Sequence, residues 1–503
     1  MSWPDRAGLL PQRRPLTTRL VLFAAGCALT LAFAPFGLWY IVPLALAPLL
    51  LVVLYATPRD AALGAFCFGA GLFLCGTYWL YISIHVFGRA PLLLAIALMV
   101  ALVLIMAAWY ALFGWLVARL VHRDPWRLVL LAPAAWLLIE WLRGWVLSGF
   151  PWLSLGYSQV DSPLAGWLPL GGVYGVSLLL VFSSAAAIAV LYPRRRPLAV
   201  LLAVLPWLLG ALLRPLSYTS PAGDALTATL IQGGVSQDRK WLPEQFRETL
   251  RLYRDGLLDA RGSDIVVWPE VAIPGVVDQV EPYLELLQRD LEPRRQSLLL
   301  GILERDDGRV YNSVLLLDGN TRQVYRKRHL VPFGEYFPVP DFVREWMRLM
   351  SLPNSDLSAG AALQPLLTTP AGHALAVAIC YEDAYGAEQL PALPAADLLV
   401  NVSNDAWFGD SIAPHQHLEI ARARALEAGR YVLRATNNGV SALIGPRGEL
   451  LRTAPQFEYA SLTFAVRPMH GATPYAKVGN WPVVTFASVV LAVLGYRRLR
   501  PIP

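Results

Sequence analysis

The sequence predicts a polytopic membrane protein that carries one separate α/β domain ahead of its last hydrophobic segment. Three observations predict it. The 503 residues are 56% hydrophobic and only 16% charged, far from the balance of a soluble chain. The first 220 residues hold seven apolar runs, each near the ~20 residues that a helix needs to cross the hydrocarbon. From 220 to 480 no such run occurs; short β-type segments alternate there with charged helical stretches, the pattern of a sheet covered by helices.

The expected spans are 17–35, 38–56, 61–86, 91–118, 128–147, 172–192 and 198–217, with an eighth at 482–496. Short cytoplasmic loops retain Lys and Arg. With the N-terminus inside, one face receives Arg6, Arg13, Arg14, Arg19, Arg59, Arg119, Arg123, Arg127, Arg194, Arg195, Arg196, Arg497, Arg498 and Arg500, and the other only Arg89, Arg143 and Arg214. The domain between spans seven and eight is therefore expected outside the cytoplasm. These anchors also account for the net charge of +6, which reads as topology and not as nucleic-acid binding. Ala32-Phe33-Ala34 imitates a signal-peptide cleavage site, but Pro35 follows it at once and a second apolar run begins, so the first helix is expected to be retained.

In the outer domain, "ALTATLIQGG", "DIVVWPE", "SLLLGILER", "VYNSVLLLD", "ALAVAICYED", "DLLVNVSND" and "VSALIGPRG" read as strands, several of them buried on both faces. "PEQFRETLRLYRDGLLDA" and "HLEIARARALEAGRYVLRAT" read as helices. One insert, Phe337 to Pro353, mixes Phe342, Trp346, Met347, Leu349 and Met350 with a few charges, and reads as an arm for the lipid interface or as an ordinary packed helix.

Three blocks end an apolar strand with a reactive group, as α/β sheets do when they gather a site at one rim. They are "VVWPEVAIPG" with Glu270, "VYRKRHLVPFGEYFP" with Lys327 and Glu335, and "AICYEDAYG" with Cys380. Taken singly, Glu270 reads equally as a helix-start residue, Lys327 as part of a solvated basic cluster, and Cys380 as a buried thiol. Together they describe acyl-transfer chemistry: a thiol nucleophile, a carboxylate to take its proton and an ammonium for developing negative charge. Cys27, Cys67 and Cys75 fall inside expected spans, so Cys380 has no soluble partner. The four cysteines match no zinc spacing, and His415 and His417 in "APHQH" lack nearby ligands, so no metal is expected. No glycine-rich phosphate loop implies a nucleotide, and no cofactor is expected. Glu140 and Arg143, three residues apart in span five, need a partner or a purpose inside the membrane.

Eight blocks carry a resemblance: "GFPWLSLGYSQ", "IQGGVSQDRKW", "WPE", "YNS", "HLVPFGEYFP", "CYE", "NVSNDAWFG" and "TPY", in that order. The outer domain resembles the nitrilase or carbon-nitrogen hydrolase superfamily, and nearly the whole chain resembles the apolipoprotein N-acyltransferase family within it. The resemblance implies an α-β-β-α nitrilase-like sandwich inserted between about eight transmembrane helices: 1–219 as membrane domain, 220–480 as periplasmic catalytic domain, and 481–503 as last span and tail. It implies Cys380 as nucleophile, Glu270 as general base and Lys327 as stabiliser of the tetrahedral intermediate, with Glu335, Tyr381 and Glu382 beside them and Trp241 near the acyl path. It implies residence in a bacterial inner membrane, a phospholipid acyl donor (phosphatidylethanolamine) and a diacylated apolipoprotein acceptor. The rival readings are a membrane-tethered amidase that passes its thioester to water, and a transporter or receptor whose outer domain only binds ligand.

Overall fold

The computed structural model describes residues 15–332, 334–336, 345 and 357–499. The expected arm at 337–353 lies, apart from Glu345, outside the described residues. The chain divides into two compact units: Met1–Ser217 with Asp410–Glu419 and Val478–Pro503, and Tyr218–Gly409 with Ile420–Lys477.

The first unit is helical: α1 Pro15–Leu29, α2 Val42–Tyr55, α3 Pro58–Gly76, α4 Leu92–Val121, α5 Pro125–Arg143, α6 Leu168–Ala189 and α7 Arg196–Leu213. Six of the eight expected spans fall in helices long and apolar enough to cross a membrane, while 38–56 and 482–496 fall in the shorter apolar helices Trp39–Tyr55 and Trp481–Tyr496. The run 61–86, read as one span, is broken. Helix α3 stops at Gly76, where the Thr77 hydroxyl donates to the Phe73 carbonyl at 2.6 Å, and a π-helical turn follows over Ile82–Phe87. Helices α1 and α3 touch through backbone, because a Cβ on Gly26 would lie 2.0 Å from the Phe68 carbonyl oxygen. Small residues bring helices together in this way where water supplies no driving force between them.

Glu140 and Arg143, each 1% exposed, both hold the chain that follows α5. Glu140 Oε1 accepts from Trp136 Nε1 and the Leu155 amide, both at 2.8 Å, while Arg143 donates to the carbonyls of Phe150 and Trp152 and to Ser154 Oγ. In the same unit Gln416 Oε1 accepts from Trp79 Nε1 and Trp152 Nε1, and the buried His417 ring lies against Trp152.

The second unit holds two six-stranded sheets. In chain order its strands are β1 Thr219–Pro221, β2 Leu226–Gln232, β3 Ile265–Val267, β4 Ser297–Asp306, β5 Arg309–Leu317, β6 Arg322–Arg326, β7 Leu367–Thr368, β8 Ala374–Ile379, β9 Leu398–Ser403, β10 Val432–Thr436, β11 Ala442–Ile444, β12 Leu450–Thr453, β13 Ala460–Val466 and β14 Met469–Gly471. One sheet runs β13-β2-β3-β4-β5-β6 and the other β12-β11-β10-β9-β8-β7, with β1 and β14 as a separate ribbon. The β2-β3-β4 and β8-β9-β10 neighbours are parallel.

The period of two along a strand sorts the side chains. Leu299, Val314 and Leu316 from one sheet meet Val377, Val400 and Leu433 from the other in a shared core. Leu298, Leu300, Leu315 and Leu317 point the opposite way, onto Tyr253 and Leu257 of α8 (Pro243–Asp259) and Leu284 and Leu287 of α9 (Glu281–Leu291). A small cavity between β8, β9 and β10 is closed by Ala421 and Arg424 of α10 (Ala413–Ala428). The layers are therefore helix, sheet, sheet, helix.

The stretch read as a helix through Thr436 is corrected here. Helix α10 ends at Ala428, Gly429 turns to φ +64° with its amide on the Ala425 carbonyl at 2.8 Å, and "VLRAT" is the buried strand β10. Glycine reaches that left-handed conformation without a Cβ clash, which makes it a common helix terminator.

Candidate active site

Strand ends assemble the site. Glu270 follows β3, Lys327 follows β6, Cys380 follows β8 and Asn404 follows β9, so two residues come from each sheet. Strands β3, β8 and β9 are buried almost throughout, whereas β6 is polar and partly exposed; in each case the residue of interest stands just beyond the strand's end. Cys380 has φ +52°, a left-handed conformation for a residue with a Cβ. Such a backbone costs of order 1–3 kcal/mol and persists only where its surroundings enforce it. Here Glu382, fully buried, enforces it: Oε2 accepts from the Ile379 amide at 2.7 Å and from Tyr325 Oη at 3.0 Å, and Oε1 from the amides of Arg328 and His329. One carboxylate thus ties the turn bearing Cys380 to the segment bearing Lys327.

Lys327, 1% exposed, lies between two carboxylates. Its Nζ is 2.8 Å from Glu335 Oε1 and 3.3 Å from Glu270 Oε1. Asn312 Nδ2 donates to the same two oxygens, at 2.7 Å to Glu270 and 3.0 Å to Glu335. The other Glu270 oxygen accepts from the Asn404 amide at 2.9 Å. Behind Asn404 runs a buried amide chain: its Nδ2 donates to Gln237 Oε1, and its Oδ1 accepts from Asn437 Nδ2. Buried Arg434 pairs with Asp405 at 2.8 Å, and Ser403 Oγ donates to the same carboxylate.

Burial pushes the Cys380 thiol well above its usual range and the charge of Glu270 adds to this, against the opposing pull of Lys327. Burial alone would lower the Lys327 ammonium, but Glu335, Glu270 and Cys380 outweigh it and hold the amine well above its usual range. Lys240, 2% exposed, is pushed down to about 8 by burial, against the pull of Glu270, whose carbonyl its Nζ reaches at 3.3 Å. The site therefore holds a protonated thiol beside a carboxylate and a firmly charged ammonium. That set suits proton removal coupled to nucleophilic attack.

The description "Apolipoprotein N-acyltransferase N-terminal domain" matches residues 25–186, and "Carbon-nitrogen hydrolase" matches residues 227–474. The chain is 45% identical to apolipoprotein N-acyltransferase of Azotobacter vinelandii over 96% of its own length and 95% of the relative's. With the Methylococcus capsulatus protein of that name it is 42% identical over 96% of each. The chain belongs to the apolipoprotein N-acyltransferase family. Among solved structures, an amidase of the nitrilase superfamily from Nesterenkonia AN1 aligns with 18% identity and a TM-score of 0.39, over 52% of this chain and 97% of that one.

In this member of the apolipoprotein N-acyltransferase family, the residues singled out from sequence separate into groups. Glu270, Lys327 and Glu335 share hydrogen bonds, and half-buried Cys380 senses the charges of Glu270 and Lys327. Tyr381 packs edge-on to Tyr385 with ring centroids 5.0 Å apart. Glu382 is a brace beneath the turn. Trp241 is not gathered in; it is 52% exposed on the loop that Lys240 anchors. Sequence reasoning missed Asn312, Asn404, Lys240 and Ser403 as members of the site. Their signal was available, since "YNS", "NVSND" and "DRKW" stand among the eight blocks, but no local pattern says what an amide faces across a sheet.

Proposed function

We propose that this protein moves an acyl chain from a membrane phospholipid, phosphatidylethanolamine, to the free α-amino group of the S-diacylglyceryl-cysteine that begins an apolipoprotein. The observation that carries the reading is Lys327 clamped between Glu270 and Glu335 beside Cys380, in a chain whose full-length relatives bear the acyltransferase name.

Glu270 takes the thiol proton as Sγ attacks the ester carbonyl. Lys327 and the backbone amide after Cys380 stabilise the oxyanion. Glu270 returns the proton to the departing lysophospholipid oxygen, leaving a thioester on Cys380. The acceptor's amine then attacks that thioester, Glu270 takes a proton from the nitrogen, and the thiol leaves reprotonated, with the acyl chain now in an amide. The sequence is ping-pong, with no metal or cofactor in any step.

The reading extends to topology: eight spans, with 1–219 and 481–503 in the bacterial inner membrane and 220–480 as the catalytic domain on the periplasmic side. The arginine asymmetry and the six long apolar helices support it. The test is incubation of the purified protein with phosphatidylethanolamine and a diacylated lipopeptide. Mass spectrometry should find an acyl adduct on Cys380 and then triacylated peptide, and neither in Cys380→Ala. Free fatty acid in place of acylated peptide would favour the hydrolase reading.

A further inference from the structure

Two carboxylates that share one lysine repel each other, and a second donor that bridges them offsets part of that repulsion. Asn312 is that donor, 3% exposed on β5, with its own carbonyl accepting from the Lys327 amide at 2.8 Å. The two bridges are unequal: the amide lies nearer Glu270 and the ammonium nearer Glu335. Because both neighbours are acceptors, the amide must present its NH2 group to them, and Asn312 Oδ1 is buried with no partner among the described residues. The geometry places a neutral donor on the Glu270 oxygen that also faces Lys327.

We infer that Asn312 is a positioning residue that sets the proton affinity of Glu270. Its amide is the nearer donor to the Glu270 carboxylate, alongside the more distant ammonium, so that Lys327 stays closer to Glu335 and keeps its charge for the oxyanion. The inference rests on the reading of Glu270 as the base. The charged and titratable groups around Glu270 are Lys327, Glu335, Lys240 and Cys380, with Asp405 acting on Cys380. Replacing Asn312 removes none of them.

The experiment is the pH dependence of Cys380 alkylation by iodoacetamide in the full-length protein in detergent micelles, with Cys27, Cys67 and Cys75 changed to alanine. Alkylation should fall on the acid side as Glu270 becomes protonated. A hydrogen bond to a charged group contributes roughly 1.5–3 kcal/mol, and one pKa unit is about 1.4 kcal/mol. Losing the amide donor disfavours the ionised form, so Asn312→Leu should move the acid limb up by about one to two pH units. Asn312→Ser, which keeps a small hydroxyl donor, should move it up by less, and it carries the reading alone if the leucine variant does not fold. A lowered plateau with the limb unmoved in these variants overturns the inference. Glu270→Gln separates the two readings. If the acid limb persists in that variant, the base assignment fails and the inference with it. If the limb vanishes there yet stays fixed in the Asn312 variants, the inference alone fails.

Discussion

Lys327 and Glu270 touch, yet on the proposed mechanism their side chains act at different moments. Glu270→Gln removes the acceptor of the thiol proton, so acyl transfer and Cys380 alkylation should slow together, by the 10²- to 10⁴-fold typical of a general base. Lys327→Met removes a charge that matters most at the tetrahedral intermediate. It should lose acyl transfer more severely than alkylation, measured as two rates on the same preparation; a lysine variant that transfers acyl chains at near wild-type rate ends its assignment. Lys240 gives a pH test of a different kind. Burial pushes its amine down to about 8 from an ordinary lysine value of 10.5, so below pH 8 the folded state buries a charge that the unfolded chain exposes to water. The penalty is on the order of 3 kcal/mol, fully present below pH 8 and relieved as pH rises toward 10.5. Thermal unfolding of the whole protein in detergent should therefore show Lys240→Met more stable than wild type at pH 7, with the gap closing by pH 10.

At the scale of elements, strand ends rather than loops aim the chemistry, and β4 fixes the aim of β3. A Cβ on Gly301 would stand 2.4 Å from the Pro269 carbonyl oxygen and 2.6 Å from Glu270 Cα. Neither is the tip of a flexible side chain, so Gly301→Ala must push the backbone that carries Glu270, the proposed base. Such overpacking typically costs 1–3 kcal/mol. Cys380 alkylation should fall at least tenfold while circular dichroism keeps the native sheet signal; a wild-type alkylation rate would show that the Glu270 backbone yields freely. Much of this architecture was legible: the seven stretches read as strands all contain one, because doubly buried strands are continuous apolar runs. The strand β12, exposed along its length, and β13, with alternating exposure at a sheet edge, carry no such run and were not recognised. "VLRAT" was absorbed into the preceding helix because Arg434, charged and fully buried, looks like a helix surface until Asp405 and Asp383 are seen beside it. Two of the reactive triplet, Glu270 and Cys380, were legible for a similar reason as the strands were, each following an apolar run, whereas Lys327 follows the polar, partly exposed β6 and was legible only from the block that carries it. The residues holding it were not: Asn312 lies 42 positions from Glu270, and only the folded sheet makes them neighbours.

For the molecule as a whole, the arginine distribution should be readable by reporter fusion. A cytoplasm-sensitive reporter joined after Arg196 should be active, and one inserted near Gly223 should report the periplasm; the opposite pattern would overturn the proposed orientation. A quieter consequence follows from the origin of the reactive groups, since Glu270 and Lys327 end strands of one sheet while Cys380 ends a strand of the other. Among the described residues no hydrogen-bond ladder joins the two sheets, and their spacing at the core is kept by side chains such as Leu299, Val314, Val377 and Val400. The apolar core is in that sense a gauge block, its thickness setting the gap across which, on the proposed mechanism, a proton must jump. Val400→Ala, remote from the reacting atoms, should on this view slow Cys380 alkylation further than Leu287→Ala, which thins only the contact between one sheet and its outer helix.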